Sequence, residues 1–272
     1  MSPPVLYSRA HPLLKIGRSL RDSKGRREHD LFLIEGCNAI SAALENRWPL
    51  REVFALEDER ELSSQVQSGL QVRRATRDWM AAMSDSQTAP PIIAWGELPP
   101  LVDDFEPENG LVVVLDGISD PGNVGTIWRA AHALGASQII PTRGTSDVWN
   151  PKVVRSAAGS LFALPPLPLR DNSAKNIARL LREKAVQIVR ADAHGATELT
   201  QFQWPGRAAL ILGHETRGVS EEFEGASVTN PLPGSAESLN VAMAGTIFLW
   251  QWSACASRRG GEEQRRGGDI SS

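Results

Sequence analysis

Short apolar runs alternate with helically spaced apolar residues along the first hundred residues of the chain. Runs rich in branched and aromatic side chains predict β-strands, and apolar residues three or four positions apart predict helices that bury one face. The predicted strands are 31–34, 52–56, 71–75 and 91–95, and the predicted helices are 37–46 and 77–83. This pattern predicts a small α/β domain, which an acidic, proline-bearing linker follows.

A second alternating pattern begins at Leu111 and contains more continuous apolar strands. Its predicted strands are 111–115, 137–141, 186–190, 208–212 and 227–230, and its predicted helices are 124–134, 153–158, 174–185 and 239–252. Continuous apolar strands that alternate with helices predict a mostly parallel sheet that is covered on both faces. The last residues of the chain have no apolar periodicity and predict a disordered tail.

These patterns divide the 272 residues into four segments, and the length is ample for two hydrophobic cores. The segments are a smaller N-terminal α/β domain (1–104), a linker (105–110), an α/β domain with the mostly parallel sheet (111–257) and the disordered tail (258–272).

Composition and charge place the chain among globular proteins, with 41% hydrophobic and 22% charged residues. The formal net charge of −3 does not indicate a nucleic-acid-binding protein, but the charge is unevenly distributed. Residues 1–29 carry seven basic side chains against two acidic ones, whereas residues 97–120 carry seven acidic side chains and no basic one. The basic segment is consistent with a contact surface for a polyanion, and equally with a solvated charged helix.

Cysteine usage and hydropathy bear on the compartment. Cys37 and Cys255 are far apart and belong to neither a CxxC pair nor a Cys/His cluster, so they predict no disulfide framework and no zinc site. The first residues lack the apolar run of a signal peptide, and the most apolar helix, 239–252, is too short to span a membrane. We therefore expect a cytoplasmic protein without a membrane partner.

Three polar, glycine-bearing loops stand at the ends of predicted elements in the second half of the chain. Residues 116–125 and 213–220 each follow a strand with a buried pattern, and residues 235–240 open directly into the last helix. Such loops are how α/β domains assemble small-molecule sites. The sequence therefore favours an enzyme, although it contains no P-loop, GxGxxG fingerprint, GxSxG elbow or HExxH helix.

Each loop also has a purely structural interpretation. Three side chains are of the type that caps a following helix: Asn123, Ser220 and Ser238. Asn240 could bond the backbone at a helix start. Arg129 has no such explanation, because the helix dipole disfavours a cation near a helix N-terminus, and this favours a phosphate or ribose ligand.

Taken together, the loops closely resemble the three motifs of the SpoU/TrmH class of RNA 2′-O-methyltransferases in the SPOUT superfamily. The first motif is Asp120-Pro-Gly-Asn-Val-Gly125 with Arg129, the second is Gly213-His-Glu-Thr-Arg-Gly218, and the third is Pro231-Leu232 with Ser238-Leu-Asn-Val241. The segment from Asn150 to Gly159 is similar to the family's connector, and residues 13–50 are similar to its N-terminal RNA-binding extension. The resemblance covers residues 110–255, and the order and spacing of the motifs make it specific.

This resemblance implies a deep trefoil knot in the C-terminal domain, S-adenosyl-L-methionine as the cofactor, a homodimer and no metal. Matched positions imply cofactor contacts at Gly213, Asn230, Leu232 and Leu239. They imply catalytic or substrate-positioning roles for Asn123, Arg129, Glu215, Ser238 and Asn240. Two positions depart from the family pattern, since His214 stands where a small residue is usual and Asn230 where an aliphatic residue is common.

The function that the resemblance implies is S-adenosylmethionine-dependent methylation of a ribose 2′-hydroxyl in RNA. Ribosomal RNA is favoured over transfer RNA, because the N-terminal extension resembles that of rRNA-acting relatives. The alternative is a noncatalytic RNA-binding protein that retains the knot, but a degenerate copy should have lost some motif residues. An unrelated nucleotide-binding protein is disfavoured by the lack of a P-loop or GxGxxG sequence.

Overall fold

The structure is a computed structural model, and it describes residues 5–59, 71–86, 88–107, 110–235 and 238–268. The chain forms two compact units. The first unit consists of Met1–Leu101, Asp120–Arg129 and Ser146–Pro165, and the second unit consists of Val102–Ser119, Ala130–Thr145 and Pro166–Ser272. The sequence analysis places residues 120–129 and 146–165 in the C-terminal domain instead. The domain boundaries expected from the sequence stay a prediction.

The helices and strands are numbered in chain order. Those of the first hundred residues are α1 (Pro12–Ser19), α2 (Ser23–His29), β1 (Leu31–Glu35), α3 (Cys37–Glu45), β2 (Leu50–Leu56), β3 (Val72–Ala75), α4 (Arg77–Met83) and β4 (Ile92–Glu97). Those that follow are β5 (Gly110–Asp116), α5 (Pro121–Ala133), β6 (Gln138–Pro141), α6 (Pro151–Ser156), α7 (Ser160–Ala163), α8 (Ala174–Glu183), β7 (Gln187–Ala191), β8 (Thr197–Glu198), β9 (Arg207–Gly213), β10 (Ala226–Thr229) and α9 (Val241–Gly268). Within the described ranges, no helix combines the length and apolarity that crossing a membrane would need.

The first unit is built on a mixed sheet with the strand order β1-β4-β2-β3. β4 pairs antiparallel with β1 and β2, whereas β2 and β3 run parallel. Phe54 lies at the centre of the core beside this sheet, with its ring centroid 5.1 Å from those of both Trp79 and Trp95. All three side chains are buried, and aromatic packing of this kind supplies much of the apolar area of a small core.

Glu35, at the end of β1, is a buried carboxylate whose hydrogen-bonding capacity is used within the first unit. It accepts hydrogen bonds from Arg155 Nη1 at 2.6 Å, from Ser84 Oγ at 2.8 Å and from Ser86 Oγ at 2.7 Å. A buried charge is tolerated only when it is paired and hydrogen-bonded in this way. The pair fixes α6, which carries Arg155, to the end of β1.

The second unit contains a parallel sheet, which in the described residues has the strand order β6-β5-β9-β7-β10-β8. Every pairing between these strands is parallel. The register pairs Leu115 with Leu212 and Asp116 with Gly213, so the carboxyl ends of β5 and β9 are level. The predicted fold class, a mostly parallel α/β sheet with a smaller N-terminal α/β part, is confirmed.

The predicted strands are all present within two residues of their predicted bounds, but several helices differ. α1 and α2 were not predicted, and α5 begins at Pro121 rather than at residue 124. α9 begins at Val241 and continues to Gly268, past the predicted end at 252 and through much of the predicted tail. Each residue added to an existing helix gains a backbone hydrogen bond, so a helix can extend beyond the part that packs.

Candidate active site

Asp116 anchors the carboxyl edge of the parallel sheet. Its side chain stands at the end of β5 and is 8% exposed. Its carboxylate accepts hydrogen bonds from the backbone N–H of Ser220 at 2.7 Å, from the Ser220 hydroxyl at 2.6 Å and from the Thr142 hydroxyl at 3.1 Å. Hydrogen bonds to an ionised acceptor are stronger than neutral ones. This one carboxylate therefore ties the loop after β9 and the end of β6 to β5.

The turn after β5 is fixed by two threonine side chains. The Gly117 N–H donates to Thr142 Oγ1 at 3.1 Å and to Thr145 Oγ1 at 3.0 Å. The Thr145 hydroxyl in turn donates to the carbonyl of Leu115 at 2.6 Å. Gly117 has a φ of +73°, a conformation that glycine adopts without strain. The chain thus leaves β5 in one defined direction.

The second motif, residues 213–218, is a closed backbone turn. The His214 N–H donates to the Gly218 carbonyl at 3.0 Å, and the Gly218 N–H donates back to the His214 carbonyl at 2.9 Å. A Cβ on Gly213 would lie 2.3 Å from the carbonyl carbon of Gly218, so no side chain fits at that position. His214, the departure from the family pattern, accepts the N–H of Thr216 on Nδ1 at 3.1 Å. Glu215 is exposed at the tip of this turn.

The third motif leads into α9, and Asn240 is the cap of that helix. Its side-chain oxygen accepts the N–H of Ala242 at 2.9 Å and that of Met243 at 3.3 Å. The sequence interpretation that Ser238 caps the helix is therefore wrong, because the helix begins two residues later than expected. Ser238 is exposed, and Leu239 between the two is half-buried. Residues 236–237 lie outside the described residues.

The first motif begins α5, and its cap is Asp120 rather than Asn123. Asp120 Oδ1 accepts the Asn123 N–H at 2.8 Å, and Pro121 occupies the first helical position, where its missing N–H costs nothing. Arg129 therefore lies beyond the second turn of the helix, where the dipole has little effect, and the dipole argument for its function does not hold. Arg129 is exposed, and among the described residues its guanidinium has no ion pair or hydrogen bond.

Gly125 of the first motif allows close packing within the first unit. A Cβ at this position would lie 2.4 Å from Ser156 Cβ and 2.9 Å from the Val153 carbonyl oxygen, both on α6. One turn further along α5, Trp128 is fully buried and donates its indole N–H to the Leu164 carbonyl at 2.8 Å. The glycine therefore serves the contact between α5 and α6, which the sequence did not reveal.

The residues with predicted roles fall into four places in the structure. Gly213 and Glu215 share the turn of the second motif, and Asn230 and Leu232 follow β10, where both are half-buried. Ser238, Leu239 and Asn240 are consecutive at the start of α9. Asn123 and Arg129 lie on α5, in the part of the chain that belongs to the first unit.

Sequence reasoning missed the polar residues that hold these loops. Ser220 was interpreted as a helix cap, but no helix follows it in the structure, and its hydroxyl bonds to Asp116 instead. The hydrogen bonds of Thr142 and Thr145 could not be predicted, because these residues lie far from Asp116 and Gly117 in sequence. The usable signal was Asp116 itself, a carboxylate directly after the apolar run 111–115 that would have to be buried at the end of a core strand.

A parallel sheet whose carboxyl edge carries closed, glycine-bearing polar loops is the arrangement in which α/β proteins commonly place a small-molecule site. Comparison with known proteins gives the particular family. The sequence pattern of the SpoU rRNA Methylase family matches residues 110–250, and that of the MRM3-like substrate binding domain matches residues 11–94. The chain belongs to the SpoU rRNA methylase family.

Two relatives with assigned activities are similar over most of their length. The 23S rRNA (uridine(2479)-2′-O)-methyltransferase of Streptomyces viridochromogenes is 34% identical over 238 residues, which cover 81% of this chain and 81% of the relative. The 23S rRNA (guanosine(2553)-2′-O)-methyltransferase RlmP of Bacillus subtilis is 30% identical over 240 residues, which cover 87% of this chain and 94% of the relative.

Solved structures show the same architecture. The SpoU methyltransferase AviRb from Streptomyces viridochromogenes, in complex with the cofactor AdoMet, superposes with a TM-score of 0.81 at 29% identity and covers 90% of this chain and 97% of its own. The AdoMet-bound rRNA methyltransferase from Sinorhizobium meliloti gives a TM-score of 0.79 at 27% identity and covers 91% of this chain and 96% of its own.

Proposed function

We propose that this protein transfers a methyl group from S-adenosyl-L-methionine to the 2′-hydroxyl of a ribose in 23S ribosomal RNA. The observation that carries the proposal is the family match over residues 110–250, which contains all three motifs. Both of the relatives named above are 23S rRNA 2′-O-methyltransferases. Their similarity extends through the N-terminal part of this chain, and this supports ribosomal over transfer RNA.

The residues after β9 and β10 fit the cofactor. Leu232 and Leu239 are half-buried and offer apolar surface of the kind that lines nucleoside pockets. Gly218, which closes the turn onto Gly213, is exposed, and nothing lies within 4 Å of where a Cβ would stand there, so a polar ligand can approach the backbone of this turn closely. We propose that these residues and Asn230 hold S-adenosylmethionine, which when bound supplies an electrophilic methyl group on a sulfonium centre.

The chain's own side chains must orient the ribose and manage charge as its 2′-hydroxyl loses a proton. The guanidinium of Arg129 is permanently protonated and cannot serve as a simple base. We propose that it binds the phosphate of the target nucleotide and stabilises negative charge that develops on the 2′-oxygen. Asn123, Glu215, Ser238 and Asn240 position the nucleotide, and positioning alone can supply much of the rate acceleration.

A homodimer is part of this proposal, and the surface of α9 supports it. Met243 and Trp250 are 61% and 63% exposed and lie on one face of the helix, since seven residues make two turns. Exposed apolar side chains aligned on one helix face are typical of an interface. We also infer the trefoil knot that the family resemblance implies, and a cytoplasmic location, which an rRNA substrate and two free cysteines support.

Binding of S-adenosylmethionine tests the cofactor assignment. Isothermal titration calorimetry of the wild-type protein should show binding, and Leu239→Trp, which fills the apolar surface of the third motif, should abolish it. Leu101→Trp is the matched control, because Leu101 is 54% exposed and outside the motifs, and it should bind as the wild type does. Wild-type protein that is folded and dimeric but binds no S-adenosylmethionine would favour the noncatalytic RNA-binding alternative.

A further inference from the structure

The first unit contains a cationic cleft beside α1 and α4. The cleft has a volume of about 340 Å³ and is lined by Arg9, Arg18, Arg21, Asp78, Ala81 and Ala82. Asp78, Ala81 and Ala82 share one face of α4, because they stand three and four positions apart. The volume of the cleft lies in the range of ligand sites.

Positive charge in this cleft exceeds what the protein neutralises. Arg9 and Arg18 are exposed, and in the described part of the chain neither guanidinium has an ion pair or hydrogen bond. Arg21 is paired with Asp85 at 3.1 Å, in a contact that solvent screens because both side chains are more than a third exposed. Asp78 is the one acidic side chain among the lining residues.

One arginine of the basic N-terminal segment does not share this property. Arg26 is 3% exposed and donates to the carbonyls of Leu20 at 2.8 Å and Arg21 at 2.9 Å, and its guanidinium is paired with Asp147. That arginine is a structural residue of the first unit. The sequence suggested one basic surface over residues 1–29, whereas the structure separates an internal arginine from the cleft.

An exposed aromatic residue, Tyr7, is close in sequence to Arg9 of the cleft. Tyr7 is 76% exposed and two residues from Arg9, so their Cα atoms are at most about 7 Å apart. The backbone beside it is anchored to the sheet edge, because the Leu6 N–H donates to the Arg74 carbonyl at 2.8 Å and the Thr76 N–H donates to the Leu6 carbonyl at 2.9 Å. Tyr7 is therefore an exposed aromatic side chain on an anchored stretch of backbone, two residues from Arg9.

We propose that this cleft binds the sugar–phosphate backbone of the rRNA substrate and that Tyr7 stacks on an unpaired base of the same segment. Arginine binds phosphate in a planar, bidentate geometry, and unpaired RNA bases stack on aromatic rings. Convergent, unpaired guanidiniums repel one another, and a polyanion removes this repulsion on binding. The inference rests on the proposed function, since it names where the first unit holds that enzyme's RNA.

The dependence of RNA affinity on salt distinguishes arginine–phosphate contacts from stacking of Tyr7 on a base. The probe is unmodified 23S rRNA transcribed in vitro, titrated by filter binding over a series of KCl concentrations. Arg9→Gln and Arg18→Gln should each make the slope of log affinity against log salt shallower by about 0.7 to 0.9, the value for one lost phosphate contact. Tyr7→Ala should weaken binding roughly five- to a hundredfold with an unchanged slope, and Tyr7→Phe should restore it.

Arg51→Gln is the matched control, because Arg51 lies in the first unit, is 67% exposed at its side chain and is outside the cleft. It should keep the wild-type affinity and slope. Wild-type affinity and slope in the Arg9→Gln/Arg18→Gln double variant would overturn the cleft assignment and leave the proposed function intact. Wild-type protein that binds no 23S rRNA would overturn both, and binding without methyl transfer would contradict the proposed function alone.

Discussion

The carboxylate of Asp116 accepts two hydrogen bonds from Ser220, one from its backbone N–H at 2.7 Å and one from its hydroxyl at 2.6 Å. Asp116 ends β5, and Ser220 ends the loop that carries the second motif. Because Asp116 also lies opposite Gly213 in the sheet register, the loop is held at both of its ends beside the same residue. The position of the second motif at the sheet edge therefore depends on a buried carboxylate outside the motif.

Asp116→Asn should destabilise the protein, because a neutral amide oxygen accepts the two hydrogen bonds from Ser220 less strongly than a carboxylate, and the amide nitrogen cannot accept the hydrogen bond from Thr142. We expect a loss of about 1.5–3 kcal/mol in the free energy of unfolding, the range for hydrogen bonds to a charged group. Ser220→Ala keeps the backbone donor and should lose about half as much. Urea unfolding of both variants and of the double variant measures the coupling, and additive effects in the double variant would contradict it.

Gly125→Ala should destabilise the first unit, since its Cβ would meet Ser156 and the Val153 carbonyl at distances that side chains do not tolerate. Overpacking of this kind costs about 1–3 kcal/mol. Gly206→Ala is the control, because a Cβ there meets nothing within 4 Å. Thermal unfolding should show a lower midpoint for Gly125→Ala than for the wild type and an unchanged midpoint for the control. Equal midpoints for the two variants would show that α5 and α6 pack less closely than described.

Asp192 should contribute stability that acid removes. Its carboxylate accepts hydrogen bonds from the backbone N–H of His194 and from the Ser227 hydroxyl. These bonds, the one from His194 most of all, lower the pKa of Asp192 from the ordinary value of 3.8. A carboxyl group with a lowered pKa in the folded state stabilises the protein above its ordinary pKa, and this stability is lost as the pH falls through the lowered value. The stability gap between wild type and Asp192→Asn should therefore shrink as the pH is lowered below 3.8, which chemical unfolding at a series of pH values measures. A constant gap would contradict this role.

The central strands β5 and β9 could be predicted from sequence because each contains a continuous apolar run, whereas the two-residue polar strand β8 was not predicted. β5 and β9 extend by a single residue at each end beyond the runs 111–115 and 208–212. α2 could not be predicted, because its buried residues are Gly25 and Arg26 and it has no apolar face. The buried face of that helix is explained by Asp147, which pairs with Arg26 from 121 positions away. No local pattern carries such a contact.

Some residues of the candidate site could also be predicted from the sequence, and others could not. The motif residues were found through their resemblance to a family, and the structure places them at a sheet edge, at a helix start and on α5. The residues that shape those loops were not found, because the bonds of Thr142 and Ser220 to Asp116 join positions far apart in sequence. Local capping was misjudged for a related reason. Asp120 caps α5 where Asn123 was expected, and Asn240 caps α9 where Ser238 was expected, although a backbone bond from Asn240 at a helix start was also predicted. All four residues are of types that satisfy the preferences of a cap.

Arg129→Lys should lose most of its turnover, because an ammonium group cannot form the planar, bidentate contact of a guanidinium with phosphate. We expect a decrease in kcat of roughly a hundredfold, typical for the loss of one charge-stabilising donor, with unchanged S-adenosylmethionine affinity. Arg179→Lys is the control, since Arg179 is an exposed residue of α8 that pairs with Glu183. Steady-state methyl transfer to 23S rRNA measures both variants. Near-normal turnover in Arg129→Lys would remove the arginine from the mechanism.

The nucleoside that receives the methyl group distinguishes ribose methylation from base methylation and from RNA binding without transfer. Unmodified 23S rRNA is incubated with the wild-type protein and S-adenosylmethionine that carries a labelled methyl group, and the RNA is then digested to nucleosides for mass spectrometry. We expect label in one kind of 2′-O-methylated nucleoside, as the proposed methyl transfer requires. Label on a base, or no label from protein that binds both S-adenosylmethionine and the RNA, would contradict it.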